Sequence, residues 1–485
     1  MPHSLHTIYK RHHLVSNRSH GRLYAAQAPV EENAKISGQE EDTGYKAHID
    51  FKFVRDNLDL VKKNCVDRLV KADPDQVVVL YDEFVQLTRE ADAVRAARNE
   101  NSSAMKKKLS DEERQVLIAK GKDLKNELDV IDEKLNAIES ALQIEGKKLP
   151  NLTHPNVPVG EEEHATLLKE IGEKQSFGFK PKDHVTLGEH LGVLDFDTGS
   201  TVSGTKFYYL RKEAALLEIA LVQYAMQKIY QKGFEPMITP DLVRSSVMEK
   251  CGFQPRGEGT QVYSIADSQL CLTGTAEIPL GGVFMDQILS EQDLPRKVAA
   301  FGRCFRTEAG AAGAAGKGLY RVHQFSKVEM FVVCTPEQSE QLHQELMDIE
   351  VEMFEELGIH FKVLDMPSGD LGAPAYRKYD IEAWMPGLER YGEISSASNC
   401  TDYQSRRLNI RYRPSGDGDS SSSTTTKKKN KKISTQFVHT LNATACAVPR
   451  MIVAILESNQ QEDGSIIIPE VLRPFMLGID RISPQ

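Results

Sequence analysis

Between Val77 and Leu142 the chain carries two runs of apolar residues spaced in threes, fours or sevens. The first reads Val77, Leu80, Phe84, Leu87, Ala91, Val94; the second reads Leu117, Leu124, Leu128, Ile131, Leu135, Ile138, Leu142. This heptad spacing lines one narrow stripe of a helix, and that stripe needs a partner stripe to bury it. A polar run, Asn99 to Ser103, interrupts the pattern. Ser110 followed by Asp-Glu-Glu then supplies a hydroxyl cap and carboxylates for a new helix start. Gly146 ends the second run, and Pro150, Pro155 and Pro158 forbid its continuation. The spacing predicts an antiparallel helical hairpin, an arm on the order of 45 Å long at 1.5 Å per residue. Arg95, Arg98, Lys106, Lys107 and Lys108 gather near its tip. Such an arm serves either as a dimerising coiled coil or as a probe along a large partner. Its tip serves either phosphate contact or solvation.

A Pro- and Asn-rich linker from Leu149 to Gly160 closes this region, and the pattern beyond it changes. Phe207 to Tyr230 reads as an amphipathic helix; Val298 to Phe305, Gln324 to Val333 and Phe361 to Leu364 read as strands. Helices and strands in irregular order predict an α+β fold with a largely antiparallel sheet. A chain of 485 residues suits two or three domains. The tract from Ser415 to Lys432 has nothing to bury and reads as a disordered surface insertion. No apolar run approaches the roughly 18 residues that cross a bilayer, so no membrane partner is expected. The formal charge of −10 means that any RNA contact must come from a local basic face. Seven scattered cysteines without a C-x-x-C pair predict reduced thiols rather than disulfides or a thiolate zinc site. The first 30 residues are basic, Ser-containing and free of acid before Glu31, the signature of an organellar transit peptide. Cleavage between about residues 25 and 45 is expected.

The densest chemistry lies in Phe301-Gly-Arg-Cys-Phe-Arg-Thr-Glu308 and, beyond an Ala/Gly loop, His323-Gln-Phe-Ser-Lys-Val-Glu329. Two strands joined by that loop put Arg306 and Glu308 on one face. A guanidinium there suits a phosphate or carboxylate, and Phe325 suits stacking on a base.

This segment resembles motif 2 of the class II aminoacyl-tRNA synthetases, in the form of the seryl branch. Gly233-Phe-Glu-Pro-Met-Ile-Thr-Pro240 is similar to motif 1, which builds the family's dimer interface. Leu272-Thr-Gly-Thr-Ala-Glu277 resembles the seryl T-x-E loop, and Glu393-Ile-Ser-Ser396 the ATP/metal strand. His439 to Arg450 resembles motif 3. The resemblance spans about residues 50 to 482 and implies a class II antiparallel catalytic domain flanked by helices and preceded by the hairpin. The expected domains are a transit segment (1–45), a tRNA-binding arm with linker (46–160), and a catalytic domain (161–485) carrying the 415–432 insertion. The implied activity is ATP-dependent formation of seryl-adenylate and transfer of serine to tRNA(Ser), by a homodimer in mitochondrion and/or chloroplast. A paralogue charging another acceptor, or a non-catalytic tRNA-binding module, is the alternative.

By the same resemblance Arg306, Glu308 and Arg450 carry catalysis. L-Serine is held by Thr275, Ala276, Glu277, Arg306, Glu329 and Thr444. ATP is held by Arg306, Thr307, Glu308, Val322, Phe325, Glu393, Ile394, Ser395, Ser396 and Arg450, and Mg²⁺ by Glu393 and Ser396. The chain departs from the pattern at Ala443, Thr444 and Pro449 and in the Ala/Gly character of the motif 2 loop. These departures resemble the organellar, plant-type branch.

Overall fold

The computed structural model describes residues 45–254, 260–307, 316, 318–415 and 434–484. The basic N-terminal stretch, nearly all of the 415–432 tract, Glu308 and most of the loop after it lie outside the described residues.

Helix α1 spans Pro74–Ala104 and α2 spans Asp111–Lys147. Asp73 caps α1 through the Gln76 amide, with Pro74 in the first turn, where its missing N–H costs nothing. Ser110 caps α2 in a reciprocal box: its hydroxyl accepts from Glu113 N at 3.2 Å, and Glu113 Oε2 accepts from Ser110 N at 2.8 Å. The polar run Asn99 to Ser103 does not end α1. Asn101 is buried and donates from Nδ2 to Leu117 O at 3.0 Å, so it serves as a polar seam residue and the helix continues to Ala104. Val77, Leu80 and Leu142 pack with Val54, Val61, Cys65 and Leu149 at the arm base; Ala91, Val94 and Leu128 form a smaller cluster further out. Arg68 fixes the base to the rest of the chain. It is buried, and its Nη1 donates to Asn151 O (3.0 Å) and Ala375 O (2.8 Å) while Nη2 donates to Gly372 O (2.6 Å).

Eight strands form the principal sheet: β1 Thr166–Ile171, β2 Glu235–Ile238, β3 Arg296–Phe305, β4 Gln324–Cys334, β5 Phe361–Asp365, β6 Arg377–Met385, β7 Arg390–Asn399 and β8 His439–Ala447. Their order is β1-β5-β6-β7-β8-β4-β3-β2, and every pair is antiparallel except β2 with β3. The back face is covered by α3 (Lys212–Gln231), α5 (Ser339–Glu356) and α6 (Val448–Ser458), which with the sheet enclose the larger apolar core. Part of the front face is covered by α4 (Glu277–Val283), whose Ile278 and Leu280 pack with Val298, Ala300, Phe331 and Val333 in a second core. The remaining front face is open. All seven cysteines are buried and free. No described helix is long and apolar enough to cross a membrane.

Candidate active site

Period-two alternation on β4 sends Phe325, Lys327 and Glu329 forward, while Val328 and Met330 enter the back core. On β3, Cys304 lies opposite Phe325 and Ala300 opposite Glu329, so Arg306, two residues past Cys304, continues the front face. Arg303 has the other parity: its Nη1 meets Glu218 Oε1 of α3 at 2.9 Å and Ser326 Oγ at 2.8 Å. It supports the back of the site. Thr307 is tied to the preceding loop, its N donating to Gln261 O and its Oγ1 to Thr260 O at 2.7 Å.

Strict alternation would misplace two other groups, and a β-bulge corrects each. On β7, Ser395 pairs with Ile381 and Glu393 with Glu382, so Ile394 is the extra residue. Glu393 thereby joins Ser396 on the front, while the Ser395 hydroxyl reaches back to Glu350 Oε1 of α5 at 2.8 Å. On β8, Thr444 pairs with Glu329 and Cys446 with Val328, so Ala445 is extra. Thr444 and Ala447 both face the cleft, and Cys446 returns to the core.

The resulting cleft is open to solvent on one side, and its empty space of about 570 Å³ includes part of that solvent. Arg306, Val322, Phe325, Glu393, Ile394, Ser395, Ser396, Thr444 and Arg450 all line it, joined by Tyr320 and Lys327. Arg306 lies over Phe325, with its guanidinium carbon 5.2 Å from the ring centre, and its Nη2 donates to Gly274 O at 3.4 Å. Arg450 stands in the first turn of α6, where Pro449 is accommodated because the amide it lacks would have no helical acceptor. Its Nη1 binds Glu393 Oε2 at 3.1 Å and Glu393 O at 2.9 Å, and its guanidinium stacks 4.7 Å from the Tyr320 ring. Burial pushes the Glu393 carboxyl up, yet Arg450 and Lys378 outweigh it and hold the group below its ordinary value.

Behind Arg306 lies a second, smaller group. Thr275, Ala276 and Glu277 are buried, and Thr275 Oγ1 accepts from Glu277 N at 3.3 Å. Glu277 Oε1 accepts from Gln404 Nε2 at 2.6 Å and Asn442 Nδ2 at 3.0 Å. Burial, then the Glu329 carboxylate, raises the Glu277 carboxyl to about 7. Glu329 is 1% exposed, is paired with Lys327 and accepts from Thr444 Oγ1 at 3.4 Å. Burial raises its carboxyl too, against the lowering pull of Lys327.

The structure therefore brings the expected residues together, apart from Glu308, which lies outside the described residues. Sequence reasoning passed over Lys327, Tyr320, Gln404 and Asn442. Lys327 was findable, being two residues from both Phe325 and Glu329. Gln404 and Asn442 carry no local signal, because only the fold brings them to Glu277.

The residues match known proteins over the same ground. Residues 262–459 match the family described as tRNA synthetase class II core domain (G, H, P, S and T). Residues 49–153 match the seryl-tRNA synthetase N-terminal domain. A serine–tRNA ligase of Treponema denticola is 49% identical over 437 residues, covering 90% of this chain and 100% of the relative. The chain belongs to the seryl-tRNA synthetase family. Among other seryl-tRNA synthetases, one from Rubrobacter xylanophilus is 47% identical over 90% of this chain and 99% of its own. The crystal structure of the Pyrococcus horikoshii seryl-tRNA synthetase complexed with ATP is similar with a TM-score of 0.81 at 36% identity, covering 90% of this chain and 100% of that one. A cytoplasmic serine–tRNA ligase from Naegleria fowleri in complex with AMP gives 0.76 at 25% identity, over 90% and 99% of the two chains.

Proposed function

We propose that the protein is a serine–tRNA ligase that activates L-serine with ATP and transfers it to tRNA(Ser), forming AMP and diphosphate. The observation that carries this reading is the pairing of two sub-sites across Arg306. One is an aromatic- and guanidinium-lined cleft (Phe325, Arg450, Glu393) that suits a nucleotide; the other is a buried polar cluster (Thr275, Glu277, Glu329, Thr444) that suits a small hydroxylated zwitterion. The serine carboxylate attacks the α-phosphate, and no protein nucleophile is required. Arg306 stabilises the charge that develops between them, while Thr307 and Val322 border the adenine and Phe325 and Arg450 stack on it. Glu277 with Thr275 holds the ammonium. Glu329 and Thr444 hold the hydroxyl, and a site built to bond a hydroxyl rejects alanine because its buried partners are otherwise left unpaired.

A hard cation fits the open side of the cleft. The Ile394 bulge puts Glu393 and Ser396 on one face, and Asp380 lies opposite Ser396 with a buried Oδ1 that has no hydrogen-bond partner among the described residues. No cluster of three or more His, Cys, Asp or Glu among the described residues is arranged to hold a metal alone. Mg²⁺ needs only one or two protein oxygens beside phosphates and water, and Glu393 and Ser396 would hold it. When bound it would neutralise phosphate charge.

The arm, with its basic tip, is the surface for tRNA, and a homodimer follows from the likeness of residues 233–240 to the family's dimerising motif. The acid-free, basic N-terminus supports import into mitochondrion and/or chloroplast. A fluorescent fusion of residues 1–45 tests that, and diffuse cytosolic signal would refute it.

The activity itself is tested by ATP–pyrophosphate exchange. Serine supports exchange, and Arg306→Ala lowers kcat/KM by roughly 100-fold or more. Exchange with threonine or proline but not serine would overturn the assignment. Charging of purified tRNA rather than a carrier protein excludes an acceptor-switched paralogue.

A further inference from the structure

We infer that Glu350 is a neutral carboxylic acid that sets the serine-hydroxyl pocket from behind the sheet, acting through Ser395 and the Thr444 carbonyl as a specificity-determining positioning residue. The inference rests on the reading of Glu329 and Thr444 as partners of the substrate hydroxyl.

Glu350 stands on α5 with no exposed surface, on the side of the sheet away from the cleft. Its Oε1 lies 2.8 Å from Ser395 Oγ, and Oε2 has no hydrogen-bond partner among the described residues. The same Ser395 hydroxyl also contacts the Thr444 carbonyl. A hydroxyl carries one proton, and a carbonyl oxygen has none to give. With the Ser395 proton on Thr444 O, the contact to Glu350 becomes a full two-centre hydrogen bond when the Glu350 carboxyl donates to Ser395 Oγ. Glu350 must then hold its proton. Burial pushes this carboxyl well above the ordinary carboxylate value, and with repulsion from Glu329 and Asp380 it outweighs the lowering pull of Ser395 and the Thr444 backbone. An ionised carboxylate buried here without a cation would be costly, whereas the neutral acid is a donor in the right place.

The position of the relay gives it consequence. Ser395 adjoins the Ile394 bulge and Thr444 the Ala445 bulge, the two places where the ladder is locally disrupted. A relay from α5 therefore braces both, and the Thr444 side chain it steadies meets Glu329 Oε2 at 3.4 Å. That separation is at the outer edge of hydrogen bonding, so a displacement of a few tenths of an ångström decides whether the pocket is formed.

The test compares Glu350→Gln, which keeps an N–H donor to Ser395, with Glu350→Leu, which removes it, by exchange kinetics in the full chain. The expected result is a serine KM within about twofold of the parent for Glu350→Gln. For Glu350→Leu it rises roughly tenfold, with a narrowed preference for serine over alanine and an ATP KM within about twofold. Equal effects of the two variants, or serine and ATP KM rising together, would overturn the inference. If Glu350→Leu fails to fold by circular dichroism, Glu350→Met, closer in shape to the parent side chain and equally without a donor, carries the same expectations and the same refutation. Glu329→Gln separates the two levels. If it leaves the serine KM unchanged, the pocket reading falls. If it raises the serine KM while Glu350→Leu and Glu350→Met do not, the role of Glu350 alone falls.

Discussion

At the scale of single residues, Glu277 shows how burial tunes recognition. A carboxyl placed at about 7 is neutral over much of the acidic range, yet it must be ionised to hold an ammonium group. Serine binding is therefore coupled to loss of a proton, and the serine KM is expected to rise as pH falls below about 7, approaching tenfold per unit. An exchange assay between pH 6 and 8 reads this directly; a flat serine KM over that range would contradict it. The stability linkage runs the opposite way. The folded value lies above the ordinary 4.5, so stability from this group is complete below that value and is lost as pH rises through about 7. The deeper lesson is the gap between identity and aim. Arg306, Glu329 and Arg450 were recognisable from their motifs, but the orientation of Arg303 toward Glu218 and the burial of Glu350 were not, since each depends on a helix far away in sequence.

At the scale of elements, the arm was legible because its signals are local. A heptad stripe, a Ser110 cap and a Pro-rich stop each act within a few residues. The cost of losing one such signal is correspondingly local. Ser110→Ala removes the hydroxyl that accepts from Glu113 N and leaves the backbone bond to Glu113 Oε2; the loss is about 1 kcal/mol, and the amides of residues 111–114 should exchange roughly fivefold faster, as read by hydrogen-exchange mass spectrometry. The catalytic strands were legible only in outline. Alternation predicts faces until an extra residue resets the count, and nothing in Glu393-Ile-Ser-Ser396 or Ala443-Thr-Ala-Cys446 announces the bulges at Ile394 and Ala445. Glu393 and Ser395, two apart in sequence, face opposite ways only because Ile394 lies between them as the extra residue. Asn101 misleads in the opposite sense: a polar residue that looked like a break is a buried rung donating to Leu117.

At the scale of the whole molecule, the arm and the cleft are separable in chemistry though joined in space. The outer arm packs on itself through Ala91, Val94 and Leu128 and contributes nothing to the cleft lining. Excising the outer arm, from about residue 84 to 138, and rejoining its base should leave serine-dependent exchange within about threefold. It should lower charging of tRNA by roughly 100-fold or more, given how much affinity phosphate contacts supply. Equal losses in both assays would show that the arm supports the active site itself. The Arg68 anchor, left in place by that excision, keeps the base seated on Gly372 and Ala375.

The seven buried cysteines extend this to the measurement of stability. They are distributed from Cys65 at the arm base, through Cys251 and Cys271 beside α4, to Cys304, Cys334, Cys400 and Cys446 in and around the sheet, and none is exposed in the folded chain. A thiol reagent can therefore react only through local or global opening. Mass-spectrometric counting of which sulfurs react first would give a native clock for the order in which arm base, front core and sheet come apart, with no engineered label.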